Sequence, residues 1–161
     1  MDLIIIRHAK AEDNQGADGE RALTDKGISQ GEAVGDLLIQ LDLEPDVVLA
    51  SPLVRARQTA EAICSRWEAA TPIIEPWLSC GMPPSEAKVE LQAYSAFQTV
   101  AIVGHEPDLS CLVEHILGMQ IGCCEMKKAS VCYIKDVKLN GGGGVLGFLV
   151  PVAAMAKKAS E

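Results

Sequence analysis

Short aliphatic runs that stop at turns and give way to helical spacing place the strongest limit on how this chain can fold. Residues 3–6 read Leu-Ile-Ile-Ile, residues 47–49 Val-Val-Leu and residues 99–103 Thr-Val-Ala-Ile-Val. Runs of this length, rich in β-branched residues, read as strands buried on both faces. A helix is predicted after the first, with Thr24 as N-cap and Ile28, Val34, Leu37, Leu38 and Leu41 on one apolar face, ending near Asp42. Ser51-Pro52 is expected to open the next helix, with a Ser cap and Pro in the first turn, burying Ala56, Ala60, Ile63, Cys64 and Trp67. A short third strand at 72–75 leads through an irregular Pro/Gly segment to a helix over 85–97, with Ala87, Leu91 and Tyr94 inward. The helix after the fourth strand carries Leu109, Leu112, Val113, Ile116 and Leu117 at helical spacing. This alternation predicts an α/β fold, a three-layer α/β/α sandwich with a mainly parallel central sheet. Residues 129–137 and 145–150 read instead as two C-terminal hairpin strands around Asn140 and the glycines at 141–144. No helix and no Gly-Lys-Ser/Thr follows those glycines, so they are a hairpin loop rather than a phosphate loop. With 161 residues and no internal repeat or linker, one domain over 1–161 is expected, the last residues forming a polar tail or frayed helix.

Charge and cysteine usage narrow the function classes. Twenty-two acidic against fourteen basic side chains give a net charge of −8, and no Lys/Arg-rich tract stands out. Nucleic acid is therefore not an expected partner, and an anionic substrate has to be held by local charge. No apolar stretch approaches the roughly 18 residues of a membrane span. Arg7 cuts the first apolar run short, so no secretory signal is expected and the cytoplasm is the predicted location. In a reducing compartment Cys64, Cys80, Cys111, Cys123, Cys124 and Cys132, with no C-x-x-C pair among them, read as small core residues or idle thiols. Neither a metal nor another cofactor is expected, and nothing in the sequence sets an oligomeric state.

The candidate site lies at the strand exits. Arg7 and His8 close the first strand, Arg55 sits in the first turn of the helix after the second, and His105 follows the fourth. In a parallel α/β sheet ligands bind beyond the C-terminal strand ends, so these four residues are expected to converge. Two guanidiniums offer bidentate hydrogen bonds to a dianion, and two imidazoles add a nucleophile and a donor. The combination predicts a pocket for a phosphoryl group. Arg57 is expected to pair with Glu61 on the solvated helix face, and His115 to lie on a helix surface without a role.

Arg7-His8-Ala9 resembles the Arg-His-Gly signature of the histidine phosphatase superfamily. Leu23-Thr24-x-x-Gly27-x-x-Gln30, Ser51-Pro-x-x-Arg55-Ala56-x-Gln58-Thr59-Ala60 and Gly104-His105 resemble the segments that follow it, in order, over residues 2 to 118. The opening Arg-His-Ala-Lys-Ala-Glu and the short chain resemble the SixA-like phosphohistidine phosphatases. The resemblance implies a phosphoglycerate mutase-like fold, His8 as a nucleophile that takes the phosphoryl group and yields it to water, and Arg7, Arg55 and His105 as ligands of the phosphoryl oxygens. Asn14 stands where some members place a phosphate-contacting Asn. Nearby arginines are expected to keep His8 neutral near pH 7.

Two departures matter. Ala9 replaces the usual Gly, which is tolerable if its φ is negative. The stretch Leu78-Ser79-Cys80-Gly81-Met82-Pro83, where many members place an acidic proton donor, holds no carboxylate, and only Glu75 and Glu86 flank it. An alkoxide needs an acid to leave, whereas an imidazole that already carries its proton departs neutral. The expected activity is therefore removal of a phosphoryl group from phosphohistidine on a signalling protein, such as a histidine phosphotransfer domain. The alternatives are a phosphatase or mutase acting on small sugar or glycerate phosphates, and a non-catalytic module that binds a phosphorylated ligand.

Overall fold

A computed structural model describes residues 1–13, 16–68 and 71–155. Its strands are β1 (Asp2–Arg7), β2 (Val47–Ala50), β3 (Ile73–Ile74), β4 (Thr99–Gly104), β5 (Val131–Lys135) and β6 (Val145–Val150). Four helices accompany them: α1 (Asp25–Gln40), α2 (Val54–Cys64), α3 (Pro84–Leu91) and α4 (Asp108–Leu117). The six strands form one sheet in the order β3-β2-β4-β1-β5-β6. The first four run parallel, and β5 and β6 add an antiparallel hairpin at one side.

The continuous apolar strands are explained by the two layers that cover them. Ile4, Ile6, Val48, Ala101 and Val103 face one core with Val34, Leu38, Ala56, Ala60 and Ile63 of α1 and α2. Leu3, Ile5, Leu49, Val100 and Ile102 face a second core with Ala87, Leu91, Leu109, Leu112, Val113 and Ile116 of α3 and α4. Alternate residues of each strand thus find apolar partners on opposite sides. The α/β/α sandwich and the hairpin are as expected.

Three local expectations are corrected. The inner face of α1 is not built on Ile28 and Leu41, which are 43% and 45% exposed. Its buried residues are Gly27, Gly31, Val34, Gly35 and Leu38, because α1 comes too close to its neighbours for larger side chains. A Cβ at Gly35 would stand 2.7 Å from the Ile63 carbonyl oxygen of α2. One at Gly27 would stand 2.0 Å from the Lys10 carbonyl oxygen, in the loop that follows His8. Thr24 does cap α1, its hydroxyl accepting from the Gly27 N–H.

The second correction concerns α2. Its N-cap is Leu53, which makes no side-chain cap bond, and Pro52 lies outside the helix. Ser51 lies three residues before the first residue of α2, where its hydroxyl accepts from the Leu53 N–H at 3.3 Å and meets the ring of the histidine that follows the neighbouring strand β4. The predicted helix over 85–97 divides into α3 and a 3-10 turn at Gln92–Tyr94.

Candidate active site

Strand register brings the predicted residues together. Arg7 of β1 lies level with Gly104 of β4, so His8 and His105 leave adjacent parallel strands side by side, their ring centroids 5.3 Å apart. Ala50 of β2 is level with Val103, which sets Ser51 beside the same exit and α2 just above it. His8, Arg55 and His105 are all buried, at 6%, 3% and 2% exposure.

Each group is held in a specific orientation. The His8 backbone N–H donates to the Gly104 carbonyl at 3.0 Å, and its Nδ1 lies 2.8 Å from the carbonyl oxygen of Ala9. A carbonyl only accepts, so Nδ1 carries the proton and Nε2 presents a lone pair. Arg55 Nε lies 3.3 Å from that Nε2. His105 Nε2 lies 2.8 Å from the Ser51 hydroxyl. Arg7 Nη1 donates to the Met126 carbonyl at 2.8 Å.

Among the described residues, Arg7 Nε and His105 Nδ1 are buried without a partner. Two orphaned polar atoms at adjacent strand exits, beside the His8 Nε2 lone pair that faces Arg55 Nε, leave desolvation uncompensated unless a ligand supplies acceptors. Phosphoryl oxygens meet that requirement.

Burial and nearby charge keep both imidazoles neutral. Burial, reinforced by His105, Arg55 and Arg7, pushes the His8 imidazole from 6.5 down to about 3, against the opposing bond to Ala9. Burial and the Arg55 charge push His105 down to about 4.

The sequence motifs around the site act mainly as scaffolding for the loop after His8. Thr59 Oγ1 accepts from the Ala9 N–H, Gln30 Oε1 from the Lys10 N–H and Gln58 Oε1 from the Leu23 N–H, at 3.0, 3.0 and 2.7 Å. Ala9 is buried and lies outside the left-handed region, so replacing Gly by Ala leaves the turn unstrained. Asn14 lies outside the described residues.

Neither flanking carboxylate touches the cluster. Glu75 accepts a hydrogen bond from the Tyr94 hydroxyl, and Glu86 is exposed in the first turn of α3. The group that does approach Arg55 from this stretch is the Cys80 thiol, its Sγ 3.9 Å from Nη2. Burial raises the Cys80 pKa, so it is a neutral thiol at physiological pH. Its segment is pinned by Asp108 Oδ2, which accepts from the Gly81 and Met82 N–H groups at 2.7 and 3.2 Å.

The residue that sequence reasoning missed is Asp18, in a 3-10 turn at Asp18–Glu20. Its carbonyl oxygen and Oδ2 accept from Arg55 Nη1 and Nη2 at 2.7 and 3.0 Å. An acid in an aperiodic polar loop carries no signal of this contact, which depends on the loop folding back over α2. Arg57 pairs with Glu61 at 3.7 Å on the exposed face of α2, and His115 is exposed, both as expected.

A family model described as Histidine phosphatase superfamily (branch 1) matches residues 3–79. An uncharacterized protein of Picosynechococcus sp. is 35% identical over 148 residues, 84% of this chain and 86% of that protein. Among solved structures, the protein histidine phosphatase SixA complexed with tungstate superposes with a TM-score of 0.87 at 21% identity, covering 97% of this chain and all of that one. The alpha-ribazole phosphatase from Shigella flexneri superposes with a TM-score of 0.77 at 20% identity, covering 98% and 100% of the two chains. At these identities the structural likeness establishes the fold.

Proposed function

This chain belongs to the histidine phosphatase superfamily, and from that premise we propose that it is a phosphatase acting through a phosphohistidine on His8, with phosphohistidine of a signalling protein as its substrate. The observation that carries the proposal is the cluster of a lone pair on His8 Nε2 and two buried atoms without partners among the described residues, Arg7 Nε and His105 Nδ1. Residues 1–161 are taken as one domain built on the single sheet.

The Nε2 lone pair attacks phosphorus, and the bond to the substrate nitrogen breaks with its electron pair remaining on the departing imidazole. Arg7 and Arg55 neutralise charge on the equatorial oxygens, the main requirement of phosphoryl transfer, and neutral His105 donates a hydrogen bond to them. Water then attacks the phosphohistidine, releasing inorganic phosphate and restoring neutral His8. The preference for a P–N bond rests on the neutral Cys80 and on the diversion of Glu75 to Tyr94, which leave the stretch after β3 without a free carboxylic acid.

The test is turnover of a phosphohistidine protein, p-nitrophenyl phosphate and phosphoglycerates by the native chain and by His8→Ala. The native chain is expected to prefer the phosphohistidine protein and to form an acid-labile phosphoenzyme that His8→Ala cannot form. Undiminished activity in His8→Ala would overturn the mechanism. Preference for a phosphoglycerate would move the substrate to small esters, and turnover of nothing would favour a binding module.

A further inference from the structure

Arg55 joins two regions of opposite character. Its Nε faces the buried nucleophile, 3.3 Å from His8 Nε2. Its Nη2 faces the Asp18 carboxylate at 3.0 Å, and that side chain is 65% exposed. In-line displacement puts the leaving group on the side of phosphorus opposite the attacking nitrogen. His8 is buried and Asp18 lies exposed at the other end of the Arg55 guanidinium, so a leaving group that exits to solvent on that side passes the carboxylate.

We infer that Asp18 is a specificity-determining residue, whose carboxylate favours a phosphoimidazole carrying a proton on its second ring nitrogen over esters that leave as anions. The inference rests on the phosphohistidine reading above. A protonated phosphoimidazole ring is cationic, and a carboxylate at the mouth stabilises that form. When His8 Nε2 forms its bond to phosphorus, the substrate P–N bond breaks and its electron pair stays on the ring nitrogen. The ring leaves as neutral imidazole with the proton it brought, so neither Cys80 nor any other protein acid has to supply one. A phenolate or alkoxide instead gathers negative charge facing Asp18, which opposes its departure.

The charged and titratable groups facing Asp18 among the described residues are Arg55 from α2, Arg21 from its own loop, Cys80 from the segment after β3, and His105 at the end of β4. Arg21 Nε and Nη2 meet Asp18 Oδ1 at 2.9 and 2.8 Å, which holds the carboxylate in place when Arg55 turns its charge to a phosphoryl dianion. The hydrogen bond from Arg55, and then the neighbouring charges, keep the Asp18 pKa below the usual carboxylate range, so the group is an anion throughout the working pH range.

The experiment compares kcat/KM for N-phosphoimidazole and for p-nitrophenyl phosphate in the native chain, Asp18→Asn and Asp18→Glu, as a function of pH. Asparagine keeps an acceptor for Arg55 Nη2, and the backbone carbonyl at 18 still accepts from Nη1. Near pH 8, Asp18→Asn is expected to lose about fivefold on phosphoimidazole, the scale of one exposed charge interaction, and to gain on p-nitrophenyl phosphate. The alkaline limb of its kcat for phosphoimidazole, which reports protonation of the bound complex, moves to lower pH, and Asp18→Glu restores the native substrate ratio. A parallel fall on both substrates with an unmoved alkaline limb would overturn the inference by reducing Asp18 to a support for Arg55, while leaving the phosphohistidine reading intact. A native chain that turns over p-nitrophenyl phosphate but not phosphoimidazole would overturn both.

Discussion

Acidification tests directly whether the site holds its two histidines neutral. Folding lowers the His8 pKa from 6.5 to about 3 and the His105 pKa to about 4. A histidine with a depressed native pKa binds its proton more readily when unfolded. Below pH 6.5 the unfolded chain therefore takes up protons that the native state refuses, and stability falls as pH drops through this window. At pH 5, about 1.5 pH units below the unfolded value, the loss is about 2 kcal/mol for each histidine, at about 1.36 kcal/mol per pH unit. Urea unfolding at about pH 7.5 and pH 5 measures it, with His8→Gln and His105→Gln beside the native chain. Carboxylates contribute in common to all three, so the difference in pH sensitivity isolates the rings. Each variant is expected to lose about 2 kcal/mol less than the native chain on acidification. Equal losses in native and variant chains would refute the reasoning, because burial would then not be penalising the imidazolium.

The same depressed pKa predicts that the acid limb of kcat/KM lies well below pH 6.5, measured with p-nitrophenyl phosphate, whose own titration is separable from the enzyme's; a limb centred near 6.5 contradicts it. Arg7→Lys removes the planar fork that spans Met126 and the pocket, and is expected to weaken competitive inhibition by inorganic phosphate by about tenfold or more. Ser51→Ala takes away the partner of His105 Nε2 and should lower kcat/KM by about fivefold, with phosphate inhibition weakened by a similar factor. Gly35→Ala forces a Cβ to within 2.7 Å of the Ile63 carbonyl oxygen. It should cost about 1–3 kcal/mol in urea unfolding despite the better helix propensity of Ala.

The candidate site was legible because β-strand chemistry is local. Aliphatic runs marked the strands, and parallel α/β topology directs their C-terminal ends to one side, so Arg7, His8, Arg55 and His105 could be grouped without coordinates. The inner face of α1 was less legible, since periodicity weights large apolar residues and is blind to a glycine stripe chosen for close approach to α2. Ser51 was misread for a related reason. A Ser before a helix satisfies the capping pattern, but nothing local reveals that α2 starts only at Val54 or that His105 leaves the neighbouring strand beside the Ser51 hydroxyl.

What the sequence determined by itself was the layer architecture, the strand exits that carry polar groups and the cationic and imidazole character of those groups, because each follows from residue type and spacing within a few positions. Tertiary structure alone decided which nitrogen of His8 is free, that Glu75 is engaged by Tyr94, and that Asp18 reaches Arg55 over the open edge. Those facts depend on hydrogen bonds between residues far apart in the chain, and such partners are chosen by how the loops fold back on the sheet, which no local pattern encodes.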